Sequence, residues 1–149
     1  MSIEKKNYLV ILPCSKLKNK LDNVPAIDLY NGQFYKLIRK FVIPNLDIII
    51  ISAKYGLIKS NTIISYYDQK MSKKRASELS ISIKPKLEEV LSEKYYDAIF
   101  VNLGKIYEIS LKDSEKILKN YNVIRANGQI GERLHQLKHW LLNISSSNR

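Results

Sequence analysis

The sequence predicts an α/β fold, a three-layer αβα sandwich around a mainly parallel sheet of about four strands. Two observations lead there. Four short apolar runs alternate with segments whose apolar residues recur at three-to-four spacing. The first run, YLVILP, is continuous, as in a strand covered on both faces. No linker or internal repeat divides the 149 residues, so residues 1–149 read as a single α/β domain, long enough to bury a core.

The elements follow in order. The first strand is Tyr8 to Pro13. Residues 28–43 carry Tyr30, Phe34, Leu37, Ile38, Phe41 and Val42 at helical spacing, with Asp28 or Asn31 placed to cap the start. Pro44 ends that helix by disfavouring the helical conformation of the residue before it. Leu46 to Ile51 is a second buried strand. After a loop, Ser72 caps a helix whose apolar side is Ala76, Leu79, Ile83, Leu87, Val90 and Leu91. Pro85 inside that pattern predicts a kink or a restart. Asp97 to Leu103 is a third strand, and residues 105–120 form a weakly patterned helix that restarts near Asp113 or Ser114. Asn122 to Ala126 is a short fourth strand. Ile130, Leu134, Leu137 and Leu141 mark the last helix, followed by a tail, SSSNR, with nothing to bury.

Composition narrows the function. With 45% hydrophobic residues the chain is not a disordered one. No apolar run approaches the roughly 18–20 residues of a membrane helix. The run Tyr8 to Pro13 is too short for a signal-peptide core and no small-residue cleavage site follows, so a cytoplasmic protein without a membrane partner is expected. One cysteine excludes an internal disulfide and a cysteine-based zinc site. His135 and His139 have a spacing that can bind metal, but no Glu follows His135 and no third ligand is evident; neither metal nor cofactor is expected. The formal charge of +11, from 25 Lys+Arg against 14 Asp+Glu, favours phosphate-bearing partners, either nucleic acid (tRNA or DNA) or a nucleotide. An AT-rich genome, which enriches lysine and isoleucine, gives a similar surplus without any such partner.

In a parallel sheet the ligand lies beyond the carboxyl ends of the strands, where strand order reverses. The segments just after the four strands are PCSKLK (13–18), SAKYG (52–56), NLGK (102–105) and ANGQIG (126–131), all polar or glycine-bearing. Cys14, near Lys16 and Lys18, reads either as a nucleophile with a lowered pKa or as a small buried residue at a tight turn. Ser15 suits binding through its hydroxyl and amide. Gly56 permits a left-handed turn beside Ser52, Lys54 and Tyr55, where Lys54 is placed to meet a phosphate or carboxylate. Asp68, ahead of Lys70, Lys73, Lys74 and Arg75, reads as a general base, a base reader or a turn residue. Tyr66 or Tyr67 is available to stack on a base, or to fill the core. The amides of the turn holding Gly128 and Gly131, at the start of the last helix, suit an anion.

These segments together resemble a family of small prokaryotic and phage proteins with a PCSxxK start, a DLY followed by Phe, a SAKYGL strand end and a YD pair. The match spans nearly the whole chain, and SAKYGL is its most specific part. More distantly, the Pro-Cys-Ser start is similar to the catalytic domain of archaeosine synthase, which adds lysine to a 7-deazaguanine base in tRNA, and to the YaaA peroxide-stress proteins, for which DNA binding has been proposed. Such families are linked to the uracil-DNA-glycosylase type of fold. Lys18 falls at the lysine of the synthase motif, but Asn19 and Lys20 replace its Pro-Tyr and no histidine follows, so lysine transfer is not carried over. The resemblance implies a site of Cys14, Ser15, Lys18, Asp28, Tyr30, Ser52, Lys54, Tyr55 and Asp68 and a nucleobase or nucleotide ligand. The expected function is an enzyme of nucleobase or nucleic-acid modification, with Cys14, Lys54 and Asp68 as catalytic candidates. The alternative is a nucleic-acid- or nucleotide-binding protein without turnover.

Overall fold

The computed structural model describes residues 5–147. The first strand, β1 (Tyr8–Pro13), is buried along its whole length, as a continuous apolar run requires. A short strand β2 (Val24–Pro25) leads into a single turn of helix α1 (Ala26–Leu29) and then α2 (Gln33–Ile38). Strand β3 (Leu46–Ser52) turns back through β4 (Gly56–Lys59), and β5 (Ile63–Ile64) pairs with β2 in a separate two-stranded sheet. The long helix α3 (Lys73–Glu93) precedes β6 (Ala98–Val101). Next come α4 (Lys105–Glu108), a 3₁₀ segment (Ile109–Ser114) and α5 (Glu115–Leu118), then β7 (Val123–Arg125) and α6 (Ile130–Ser147).

The main sheet has the order β4-β3-β1-β6-β7, with β4 antiparallel to β3 and every other pairing parallel. Helices α2 and α6 pack together on one face, and α3 packs against the 3₁₀ segment on the other. This is the predicted three-layer sandwich, with one strand more than the sequence suggested. The chain lays β3 on one side of β1 and then crosses to lay β6 on the other. Strand order therefore reverses at β1, and the crevice lies beyond the carboxyl ends of β1 and β6.

Several boundaries differ from expectation, each for a local reason. The helix expected over 28–43 is broken, because Tyr30 is extended and forms a β-bridge with Lys18. Neither Asp28 nor Asn31 caps it: α2 starts from Gly32, and the Asn31 side chain accepts a hydrogen bond from Arg39. The helix also ends before Phe41, leaving Val42 93% exposed. Pro85 does not restart α3. It lacks the N–H that would bond to the carbonyl of Ile81, and Ile81 lies on the solvent side, where water can satisfy that carbonyl. Ser72 caps α3 as expected, accepting the Arg75 amide at 3.1 Å.

Candidate functional site

The stretch Ser52 to Gly56, expected to face a ligand, is the turn of the β3–β4 hairpin. Ile51 pairs with Leu57 and Ser52 with Gly56, leaving three residues in the loop. The fully buried Ser52 hydroxyl accepts the amides of Lys54 (3.2 Å) and Tyr55 (3.1 Å). Gly56 has φ +75°, the left-handed geometry that three-residue hairpin loops need. Arg75 clamps the turn from α3, donating to the carbonyls of Ala53 (2.7 Å) and Lys54 (3.0 Å). Ser52 and Gly56 therefore shape the turn, while Lys54 is exposed with Nζ 5.1 Å from the Tyr55 ring centroid.

Behind this turn lies a buried network of hydroxyls. The Tyr67 hydroxyl is 2.8 Å from Ser52 Oγ and 2.7 Å from the Tyr30 hydroxyl. The Tyr35 hydroxyl donates to the Pro13 carbonyl at 2.7 Å. Burial pushes the Tyr30 phenol up to about 12 and raises Tyr67 and Tyr35 well above the ordinary tyrosine value. These phenols are neutral donors and acceptors, each with a partner. Lys18 Nζ stands 4.7 Å from the Tyr67 ring centroid, a cation–π distance.

Cys14 occupies the joint between the two halves of the sheet. Its amide donates to the Ile51 carbonyl of β3, while Sγ lies 3.0 Å from the Tyr107 hydroxyl on α4, just after β6. Burial, and then the adjacent Cys14 sulfur, push the Tyr107 phenol up, so it keeps its proton at neutral pH. Ser15 donates to the Leu17 carbonyl and accepts the Gly32 amide, so it serves the local loop. Asp28 and Asp68 are exposed, and their carboxylates bond to none of the described residues. His135 and His139 are exposed on α6, and among the described residues no group of three or more His, Cys, Asp or Glu could hold a metal.

The other side of Cys14 is built differently. A cavity of about 940 Å³ opens at the carboxyl ends of β6 and β7, lined by Gly104, Lys105, Arg125, Gly128, Glu132 and Arg133 among others. Arg125 is held by Glu108 and Glu115. Glu132 folds back over the start of α6: Oε1 accepts the Gln129 amide at 3.3 Å, and a Cβ on Gly128 would meet Oε2 at 2.7 Å. The carboxylate thus takes one amide of the turn that the sequence offers to an anion; Gly128 and Gly131 line the cavity.

Asn45, Asn102, Ser114 and Arg133 each have a buried polar side-chain atom with no partner among the described residues, and Asn102 and Arg133 have two. Asn102, 0% exposed, continues the ladder by donating its amide to the Ile11 carbonyl, yet both atoms of its carboxamide are unpaired. Arg133, 8% exposed, lies over the Phe34 ring at 5.3 Å, and its Nε and Nη1 have no partner among the described residues. Asn102 sat in a segment the sequence singled out; the signal was an amide closing the apolar run AIFV. Arg133 carries no such signal, although it sits one turn before the fully buried Leu137 on the side of α6 that faces the core. Tyr107 reaches Cys14 only through the tertiary fold, and no spacing announces it.

Residues 9–139 match the Family of unknown function (DUF6884). The chain belongs to that family. Among solved structures, the crystal structure of AF0587, a protein of unknown function, superposes with a TM-score of 0.57 at 14% identity. The match covers 91% of this chain but 44% of AF0587, and it speaks to fold alone. No curated protein matches the chain. The DUF6884 match runs from β1 into α6, and so takes in both Cys14 and Arg133.

Proposed function

We propose that this protein is an enzyme of nucleobase or nucleoside chemistry, acting on a nucleotide or on a base of tRNA or DNA through base modification or N-glycosidic chemistry. The observation that carries the reading is Asn102. A buried carboxamide with donor and acceptor both unmet destabilises the unliganded protein by about 1–3 kcal/mol per group. The edge of a nucleobase offers a matching acceptor–donor pair, the complement that asparagine makes with adenine. Asn102 closes β6 at the switch point, and its neighbours Leu103 and Gly104 line the cavity.

The rest of the edge supports the same reading. Cys14 and Tyr107 lie one strand away, a thiol beside a phenol that keeps its proton; Cys14 is the candidate covalent participant. The charge of +11 suits a phosphate-bearing substrate. The resemblance of the Pro-Cys-Ser start to a base-modifying family, and to one for which DNA binding has been proposed, points the same way. A base within a polynucleotide would leave its stack to reach this depth.

The test is direct. Purified protein is incubated with nucleosides, nucleotides, tRNA and single-stranded DNA, and the products are resolved by nucleoside mass spectrometry. A modified base or a released base that disappears in both Asn102→Leu and Cys14→Ala supports the reading. Neither product nor base-dependent binding from any substrate would overturn it. A second reading, binding without turnover, is favoured by the cover over Cys14, whose sulfur is held by a phenol and, among the described residues, by no imidazole or carboxylate. In that case Cys14→Ser leaves every measurable property of the liganded protein intact.

A further inference from the structure

The reading above leaves Arg133 without a task. The residue is more than nine-tenths buried, its guanidinium is packed on Phe34, and Nε and Nη1 lack partners among the described residues. Buried cations are normally paired, because taking a charge from water without a counter-ion is unfavourable. No described carboxylate forms an ion pair with it: Glu108 is held by Arg125, and Glu132 is turned back onto the Gln129 amide. The third nitrogen, Nη2, abuts the Gly104 turn, where a Cβ would come within 3.4 Å of it. Gly104 thus leaves open the approach that any other residue would narrow. Lys105, next in sequence, lines the same cavity.

We infer that Arg133, with Lys105 and the open turn at Gly104, forms an anion subsite that takes the phosphate of a nucleotide. A guanidinium presents its donors as a planar fork that fits two phosphate oxygens at once. The counter-charge missing from the unliganded protein arrives with the ligand. Because the Glu132 carboxylate already accepts the Gln129 amide and puts a negative charge at the start of α6, the phosphate sits on the Arg133–Gly104 side of the cavity and not on the helix terminus. The inference rests on the proposed function only for the identity of the group attached to the phosphate.

The test is thermal unfolding and calorimetric titration of the full chain with inorganic phosphate, against sodium chloride and acetate at matched ionic strength. Phosphate should raise the melting temperature dose-dependently and acetate should do so less. Arg133→Met should weaken phosphate binding by at least about tenfold, the loss of a charge-assisted hydrogen bond, while the unliganded variant melts no lower than the wild type. Glu132→Gln, which keeps the cap but removes a negative wall charge, should tighten phosphate binding. Equal phosphate affinity in the wild type and Arg133→Met overturns the subsite, as does an Arg133→Met protein that is destabilised without ligand and still responds to phosphate. Ribose 5-phosphate and nucleoside monophosphates separate the two proposals. Arg133-dependent binding of both with no preference for a base upholds the subsite while removing the nucleobase reading. Nucleoside binding that neither phosphate nor Arg133→Met affects does the opposite.

Discussion

The two flanks of Cys14 show opposite treatments of buried polarity. On the β3 side, Ser52, Tyr30 and Tyr67 are buried and joined to one another at 2.7–2.8 Å, with the Ser52 hydroxyl also holding two turn amides. On the β6–β7 side, Asn102 and Arg133 are as deeply buried and lack partners, beside an open cavity. A satisfied network rigidifies a fold, whereas an unsatisfied group weakens it unless something else completes it. The hairpin side is built as support, and the proposed ligand contact falls on the crevice side, although Ser52 to Gly56, expected to face a ligand, lies in the former.

The largest effect should come from breaking the supporting side. Tyr67→Ala removes a ring packed against Tyr30 and Tyr55 and strands two hydroxyls, and should destabilise the protein by about 3–5 kcal/mol in urea unfolding. Tyr67→Phe keeps the ring and should lose about 1–3 kcal/mol. A loss below about 0.5 kcal/mol for the alanine variant would mean that the network does not support the turn.

Alkaline pH probes the same side more gently. In the unfolded chain tyrosines titrate near 10, while folded Tyr30 titrates at about 12 and Tyr35, Tyr67 and Tyr107 are raised too. Below pH 10 neither state loses these protons, so there is no effect. Above it the unfolded chain loses them first and binds fewer protons, so stability falls as pH rises, by roughly 1 kcal/mol per pH unit for each such group. For Tyr30 the fall levels off above about 12. Urea midpoints taken upward from about pH 9 should drop steeply past 10, and less steeply in Tyr67→Phe. A midpoint that stays level between about pH 10 and 11 would show these phenols to be reachable by water.

Much of this fold was legible because burial leaves periodic traces. The runs at β1, β3 and β6 and the spacing of α3 and α6 are core patterns, and the strand-end rule points to the carboxyl ends of the strands, where the cavity after β6 and β7 opens. The hairpin was not legible. Gly56 gives only a turn signal, and β4 is too short to alternate, so GLIK read as loop. The same gap hides the turn-holding role of Ser52, whose hydroxyl is drawn inward by amides two and three residues on. Arg133 was missed for the converse reason: a cation on an apolar helix side looks like a surface residue until the partner helix α2 brings Phe34 over it.

On the crevice side the sign should reverse. Asn102→Leu replaces an unsatisfied carboxamide by an apolar group of similar size, so the unliganded protein should be unchanged or stabilised by up to about 2 kcal/mol. Chemical denaturation without ligand measures this. A loss of more than about 1 kcal/mol would show that Asn102 is satisfied in solution and would dissolve the contrast.

The smallest effects sharpen the boundary. Lys54 and Asp68 are exposed; among the described residues the Lys54 ammonium makes only a cation–π contact, and the Asp68 carboxylate bonds to none. Lys54→Ala and Asp68→Asn should each change stability by less than about 0.5 kcal/mol. Their use lies in the ligand response. The hairpin end of β3 is separated from β6 by one strand, roughly 10 Å at the usual strand spacing, a span that an extended nucleotide or a strand of nucleic acid could bridge but an inorganic phosphate could not. Phosphate binding should therefore be the same in both variants as in the wild type. Binding of a polynucleotide weakened by Lys54→Ala alone would place the hairpin turn along the path of the backbone. Loss of phosphate binding in either variant would move the anion site across Cys14 and merge the two regions into one.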